Sequence, residues 1–296
     1  MDEKNVALLF TTDIEAFSAA KREFAAGNKS RVRLHRVEAE GRDFTGADLS
    51  GCDFSQAVFR RCNFSGANLS GSLFRGARFD WCDLSGSNLT GASLAHIVAN
   101  GLVAAGADFS DANLFRAAAE SGDFSNCSLA RADLTGAQMS RAEFAGAKGE
   151  AAFFTAADLS GANFSSASLR KSYFRFARLT GCILTSAQMP HSTFTGALLT
   201  MTDFTNADIS FSDFRTAVFD GTTFRGARMI ECDIRETDVE KADFLGAEML
   251  GALLSGFSAE DEKERHEAAR EKALAASASG GDGKPVELIP LDIPVV

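Results

Sequence analysis

The residues with the most chemical potential are six cysteines: Cys52, Cys62, Cys82, Cys127, Cys182 and Cys232. Thiolates converging at short spacing hold zinc, and an exposed thiolate in an electropositive setting is a nucleophile. Neither pattern is present. Cys52 and Cys62 are two pentads apart, wider than the paired spacing of structural zinc sites. All six share one phase of a short repeat, at a position expected to point inward, so they read as reduced packing residues. Cys62 and Cys82 are four pentads apart and should stack as neighbours, but parallel Cβ directions disfavour a bridge. His35, His96, His191 and His266 are scattered, with no partner at ligand spacing. The chain has no glycine-rich phosphate loop and no nucleophile elbow. Its many aspartates recur as turn residues, whose side chains bond nearby backbone. No catalytic, cofactor-binding or metal-ligating set is therefore expected, and the chain reads as non-enzymatic.

The elements behind these positions come from a period of five. Stepping by five from Phe44 reaches Leu254 without an insertion or deletion, which makes 43 pentads. The stepped residue, the centre, is Phe, Leu, Ile, Val or Met in all but Ala99, Ala104, Ala119 and Gly149. Two residues earlier the side chain is small in all but Arg42, Ile97 and Leu102. Asp or Asn often stands between, as in Ala47-Asp48-Leu49. Five matches neither the helical period nor the plain strand period. It fits a chain that turns a corner every five residues. The large and small positions, two apart, then share the inner side of a short extended segment.

The units Ala157-Asp158-Leu159-Ser160-Gly161 and Ala162-Asn163-Phe164-Ser165-Ser166 resemble the pentapeptide-repeat family. The resemblance covers roughly 42–256. It implies an all-β fold, a right-handed quadrilateral β-helix with four pentads to each coil. The centres agree with a coil of four pentads. Every fourth centre from Phe44 is Phe in eight of eleven cases, whereas the column from Leu49 contains only Phe109. About 11 coils at roughly 4.8 Å would make a rod about 50 Å long. A bulge is expected at 95–105, where Ile97, Val98, Leu102 and Val103 interrupt the pattern, with lesser irregularities at 117–120 and 147–151.

Both ends should be covered, because a β-helix exposes unpaired backbone at each. Residues 1–40 read as a helical cap and a leading strand. Thr12 or Asp13 caps the helix, Ile14, Phe17 and Phe24 lie near one face, and Val32, Leu34 and Val37 form the strand. The repeat is assigned to 41–257, a charged helix to 258–276, and a flexible linker with an apolar tail to 277–296. The tail, Pro285–Val296, is strand-prone and broken by prolines. It is expected to dock on the rod or on another protein chain, with a dimer as one form of the latter.

Outward aromatics mark the candidate site. Phe153 and Tyr173 replace the usual Asp or Asn and lie one coil apart. Phe176 and Phe211 also point outward by phase, Phe115 lies below, and Arg170, Lys171, Arg175 and His191 border the group. Such a strip fits contact with a protein partner. The leading reading is a protein–protein interaction scaffold or adaptor, with a bacterial effector or secretion-associated protein as one version. The resemblance also implies an alternative, a DNA mimic that binds type II topoisomerase, inhibiting gyrase or protecting it from quinolones. Ten acids favour that alternative: Asp43, Asp83, Asp123, Glu143, Asp203 and Asp243, with Asp48, Asp108, Asp208 and Glu248 beside them. The formal net charge of −10 disfavours direct nucleic-acid binding. No apolar run reaches membrane-spanning length, and the expected location is cytoplasmic.

Overall fold

The computed structural model describes residues 10, 12–17, 21 and 31–254. The expected charged helix, linker and apolar tail lie outside the described residues. Within them the chain forms a four-sided β-solenoid. Eleven parallel bridges, each joining positions four pentads apart, link Arg33 through Asp53, Phe153 and Tyr173 to Leu253 along one face. Three further faces carry equivalent ladders. On one of them the pairing is regular enough to form β1 (Glu38–Glu40), β2 (Val58–Arg60), β3 (Arg78–Asp80) and β4 (Val98–Asn100), parallel in that order. On another, β5 (Lys148–Glu150) pairs with β6 (Ser168–Arg170). No helix among the described residues is long and apolar enough to cross a membrane.

The pentad follows from satisfying five backbone N–H groups, as the unit 163–167 shows. Asn163 donates back to Ala142 O in the preceding coil at 3.0 Å, and Phe164 donates forward to Ile183 O at 2.7 Å. Ser166 donates forward to Thr185 O at 2.9 Å, and Ala167 closes the turn on Phe164 O at 3.0 Å. The fifth group, Ser165 N–H, has no backbone acceptor and donates to Asn163 Oδ1 at 3.0 Å. Asp or Asn before the centre is therefore a turn device, supplying the acceptor that the backbone lacks. The second turn residue takes a left-handed conformation, φ +55° at Ser166, as a type II turn requires.

The interior is apolar and built from columns. Phe144 and Phe164 stack at 4.7 Å with planes 4° apart, and Phe154 and Phe174 at 4.7 Å and 6°. The two columns meet edge to face, as at Phe154–Phe164, 5.8 Å and 87°. Small inward hydroxyls and thiols donate to centre carbonyls one coil back. Thr202 Oγ1 reaches Leu179 O at 2.7 Å, and Cys182 Sγ reaches Leu159 O at 2.9 Å. All six cysteines are buried and free.

The expected bulge at 95–105 does not form. β4 pairs in register with β3, and Ile97 and Leu102 are buried at the small position while Ala99 and Ala104 occupy the adjoining centres. The large and small positions have exchanged sizes, so inward volume is kept and the backbone is undisturbed. Residues 117–120 and 147–151 are equally regular in the backbone. At the latter, a Cβ on Gly149 would lie 3.0 Å from Leu129 C, so glycine suits the close approach of neighbouring coils. The irregularity falls instead at Val239–Lys241, a 3-10 turn that interrupts the ladder on one face while Thr223–Asp243 and Asp233–Leu253 keep the register. There Thr237 Oγ1 donates to Ile234 O at 2.6 Å and Lys241 pairs with Asp238 at 2.8 Å.

Coil geometry begins ahead of the expected boundary at 41. Val32, Leu34 and Ala39 are buried, and Arg33 bridges to Asp53. Asp13 is the cap of the short helical segment that precedes it, accepting Ala16 N–H at 2.9 Å. Phe10 stacks on Phe44 at 4.7 Å, and buried Lys21 donates to Asp48 Oδ1, Ser50 O and Ser50 Oγ at 2.8, 2.9 and 2.9 Å. These contacts cover the first open end of the rod.

Candidate functional site: an aromatic strip on the rod

Because each coil closes after four pentads, like positions lie directly above one another, outside the rod as well as inside. Phe153 and Tyr173 are bridged neighbours on one face, with rings 4.9 Å apart and planes 6° apart. Both rings remain partly exposed, at 38% and 37%. Phe176 occupies the corner after Tyr173 and is 58% exposed. Its ring lies over Gly196, where an added Cβ would come within 2.6 Å of the ring. Phe211, 45% exposed, sits on the other corner of that face and stacks on His191 at 4.8 Å and 8°. The structure thus joins Phe153 to Tyr173 and sets Phe176 and Phe211 on the two flanking edges. Phe115 stands apart, half-buried between His96, edge-on at 5.6 Å, and the Arg116 guanidinium at 5.1 Å.

Aromatic residues at 153 and 173 give up something. In the same column Asp53, Asp133, Asp213 and Asp233 accept the N–H of Ser55, Thr135, Arg215 and Arg235 at 2.9 to 3.2 Å. Phe and Tyr rings offer no such acceptor to Thr155 and Arg175. A hydrogen bond of this kind is worth about 0.5–1.5 kcal/mol.

The surroundings are cationic near the stack and self-neutralised farther up. Lys171 pairs with Glu150 at 2.6 Å, and Arg175 lies 5.7 Å from the Phe176 ring centroid. Arg170 and Arg178 are exposed beside them. Two coils above Tyr173, Arg215 grips Asp213 and then Arg235 grips Asp233. The Arg235 hydrogen bonds hold the Asp233 carboxyl below its usual range. At Asp213 burial pushes the carboxyl up, but the bonds from Arg215 and Thr195 outweigh it and leave it low.

Sequence reasoning missed further outward apolar residues. Leu198 and Val218 bridge one another on the face beyond Phe176, and Met201 lies over Gly221 at the next corner. They carry the strip around the rod. Their signal was present, since 198 and 218 are four pentads apart at the position where Asp or Asn is usual. Trp81, 68% exposed, lies over Gly101, and Val98 and Val103 are also exposed.

No metal-binding group of His, Cys, Asp and Glu occurs among the described residues. Burial pushes the thiols of Cys52, Cys182 and Cys232 up to about 12. Cys62 and Cys82 act on one another as neighbours, which draws the first thiol down and pushes the second up, while their sulfurs donate to Ala39 O and Phe59 O at 3.4 and 3.5 Å. Both are buried, out of reach of a substrate. On the acidic side most carboxylates are engaged with turns: Asp43, Asp83, Asp123 and Asp203 accept N–H groups at 2.8 to 3.0 Å. The arrangement is suited to holding a surface against another surface.

The sequence model described as pentapeptide repeats matches eight copies, across residues 43–76, 77–116, 123–148, 152–185 and 182–221. HetL, a pentapeptide repeat protein involved in heterocyst differentiation regulation from the cyanobacterium Nostoc sp. strain PCC 7120, is 26% identical with a TM-score of 0.45. That match covers 80% of this chain and 96% of HetL. QnrB1, a plasmid-mediated fluoroquinolone resistance protein, is 20% identical over 78% of this chain and 96% of its own, with a TM-score of 0.35. A pentapeptide repeat protein of the Arabidopsis thaliana thylakoid lumen is 38% identical over 29% of this chain and 63% of its own, with a TM-score of 0.24. No curated protein matches the chain.

Proposed function

The chain belongs to the pentapeptide-repeat family, and from that premise we propose that it is a non-enzymatic scaffold that docks a protein partner on the aromatic strip. The observation that supports this reading is the partly exposed Phe153–Tyr173 stack, set where the fold accepts Asp and gains a turn hydrogen bond from it. Stability gives no reason for that exchange. Exposed aromatics beside arginines are the residue types enriched at binding hot spots. The test is capture of interacting proteins by the full chain and by a Phe153→Asn/Tyr173→Asn variant. Asn keeps the turn acceptor and removes the rings. A partner held by the wild type and lost by the folded variant supports the reading. An identical set of partners overturns it.

A second reading, DNA mimicry toward a type II topoisomerase, draws on the acidic side of the rod. The ten acids spread over eleven coils give about one charge per 5 Å, against one per about 1.7 Å in duplex DNA. That sparseness puts it second. A supercoiling assay with and without the protein tests it directly, and no effect on gyrase removes it.

A further inference from the structure

We propose that the aromatic strip is occupied, in the absence of a partner, by this chain's own C-terminal segment, Pro285–Val296. The inference rests on the docking reading of the same strip and names its resident occupant. Three observations point to this segment. The first is location. Leu254, the last described residue, lies on the face that carries Phe153, Tyr173 and Leu253, so the undescribed chain begins on the strip's own side. Tyr173 lies four coils back, about 19 Å along the rod. Thirty residues separate Leu254 from Pro285. Even as a helix they would span about 45 Å, more than twice the distance to Tyr173.

The second is composition. The segment reads Pro-Val-Glu-Leu-Ile-Pro-Leu-Asp-Ile-Pro-Val-Val. Its three prolines favour an extended conformation with low ordering entropy, the form that docks on aromatic-lined surfaces. The strip presents such a surface in Phe153, Tyr173, Phe176 and Phe211.

The third is charge. The segment has two charged side chains, Glu287 and Asp292, both acidic. The border near the stack is basic, with exposed Arg170, Arg175 and Arg178. The acids on the same face at Asp213 and Asp233 are already gripped by Arg215 and Arg235. A tether of this kind places the segment at roughly millimolar local concentration, so modest contacts suffice to keep the strip covered. A partner must then displace the segment.

The buried state of the six native cysteines supplies the experiment. In the full chain carrying Ile289→Cys, the new thiol is the accessible one, and its reaction with a bulky maleimide reports exposure of the segment. Adding Phe153→Asn and Tyr173→Asn should speed labelling by roughly thirtyfold, the factor of a binding hot spot. Asp292→Arg, which lies beyond the repeat in the sequence, should also speed it, and adding Arg175→Asp should slow it again. Melting curves confirm that the rod variants are folded. Equal labelling rates with and without the two rings overturn the proposal. Protection that fades on dilution overturns it as well, because the occupant is then a second copy. Neither result bears on the docking reading, which the partner capture decides separately.

Discussion

Two pairs of stacked rings in this molecule have almost the same geometry and opposite surroundings. Phe144 and Phe164 face the interior at 4.7 Å and 4°. Phe153 and Tyr173 face outward at 4.9 Å and 6°. Both follow from a coil that returns to the same place after four pentads, so ring stacking by itself says nothing about purpose. Solvent makes the difference. The inner pair is removed from water and contributes to holding the rod together. The outer pair stays partly in solvent and forgoes the turn acceptors found elsewhere in its column. The same local geometry therefore serves cohesion on one side of the backbone and recognition on the other.

The largest expected effect tests the inner pair. Phe164→Ala should cost about 3–5 kcal/mol in denaturant unfolding, because full burial adds a cavity to the lost transfer energy. Neighbouring coils should loosen first, as each shares an interface with the mutated one. A variant that unfolds like the wild type would mean that the inward register is misassigned.

Next comes the outer pair. Phe153→Asn/Tyr173→Asn should weaken partner binding by about 2 kcal/mol or more, measured by titration once the partner is in hand. Its unfolding free energy should stay within about 1 kcal/mol of wild type, since restored turn hydrogen bonds offset the lost ring contact. A large loss of stability would erase the contrast between the two pairs.

A smaller effect isolates the turn acceptor. Asp123→Ala removes the 2.9 Å bond to Ser125 N–H and should cost about 1 kcal/mol. If it costs nothing, the aromatics at 153 and 173 forgo nothing either, and the case for selection on the strip weakens.

The gentlest test is acid titration. The carboxyls of Asp43, Asp213 and Asp233 are held low, the first by hydrogen bonds from Thr45, the others by the arginine and turn bonds described above. A carboxyl whose pKa is depressed on folding stabilises the fold above its unfolded value and ceases to do so as pH falls through the folded value. The melting temperature should therefore be level from neutral pH down to about 5 and decline below about 4. A decline that begins near pH 6 would overturn the assignment to these carboxyls.

The sequence carried the inner pair fully and the outer pair partly. Inward positions obey a rule of period five, so Phe164 and Cys182 could be placed from spacing alone. Outward positions obey no such rule, and their identity shows only when sorted by coil, which is why Leu198, Val218 and Met201 escaped notice. The expected bulge at 95–105 came from reading each position by itself. Ile97 with Ala99, and Leu102 with Ala104, conserve volume as pairs, and only the pair matters to the backbone. The actual irregularity at Val239–Lys241 left no mark, because Thr237 and Val239 satisfy the pattern. The start of the rod was placed late because the pentads of Leu34 and Ala39 carry Arg33 and Glu38 where later pentads usually have Asp or Asn.

The two periods also make the rod a ruler with a dial. Adding four pentads lengthens it by one step of about 4.8 Å and leaves every surface residue pointing as before. Adding one pentad keeps every inward position filled but turns all later residues by a quarter. Inserted between Tyr173 and Leu198, a single pentad would move Leu198, Val218 and Phe211 to other sides of the rod while Phe153 and Tyr173 stayed in place. Duplication or loss of whole units in such a gene can therefore rearrange what the surface displays while every inward position stays filled, although a single pentad also stacks unlike centres such as Phe on Leu, and the unbroken run from Phe44 to Leu254 preserves one such arrangement.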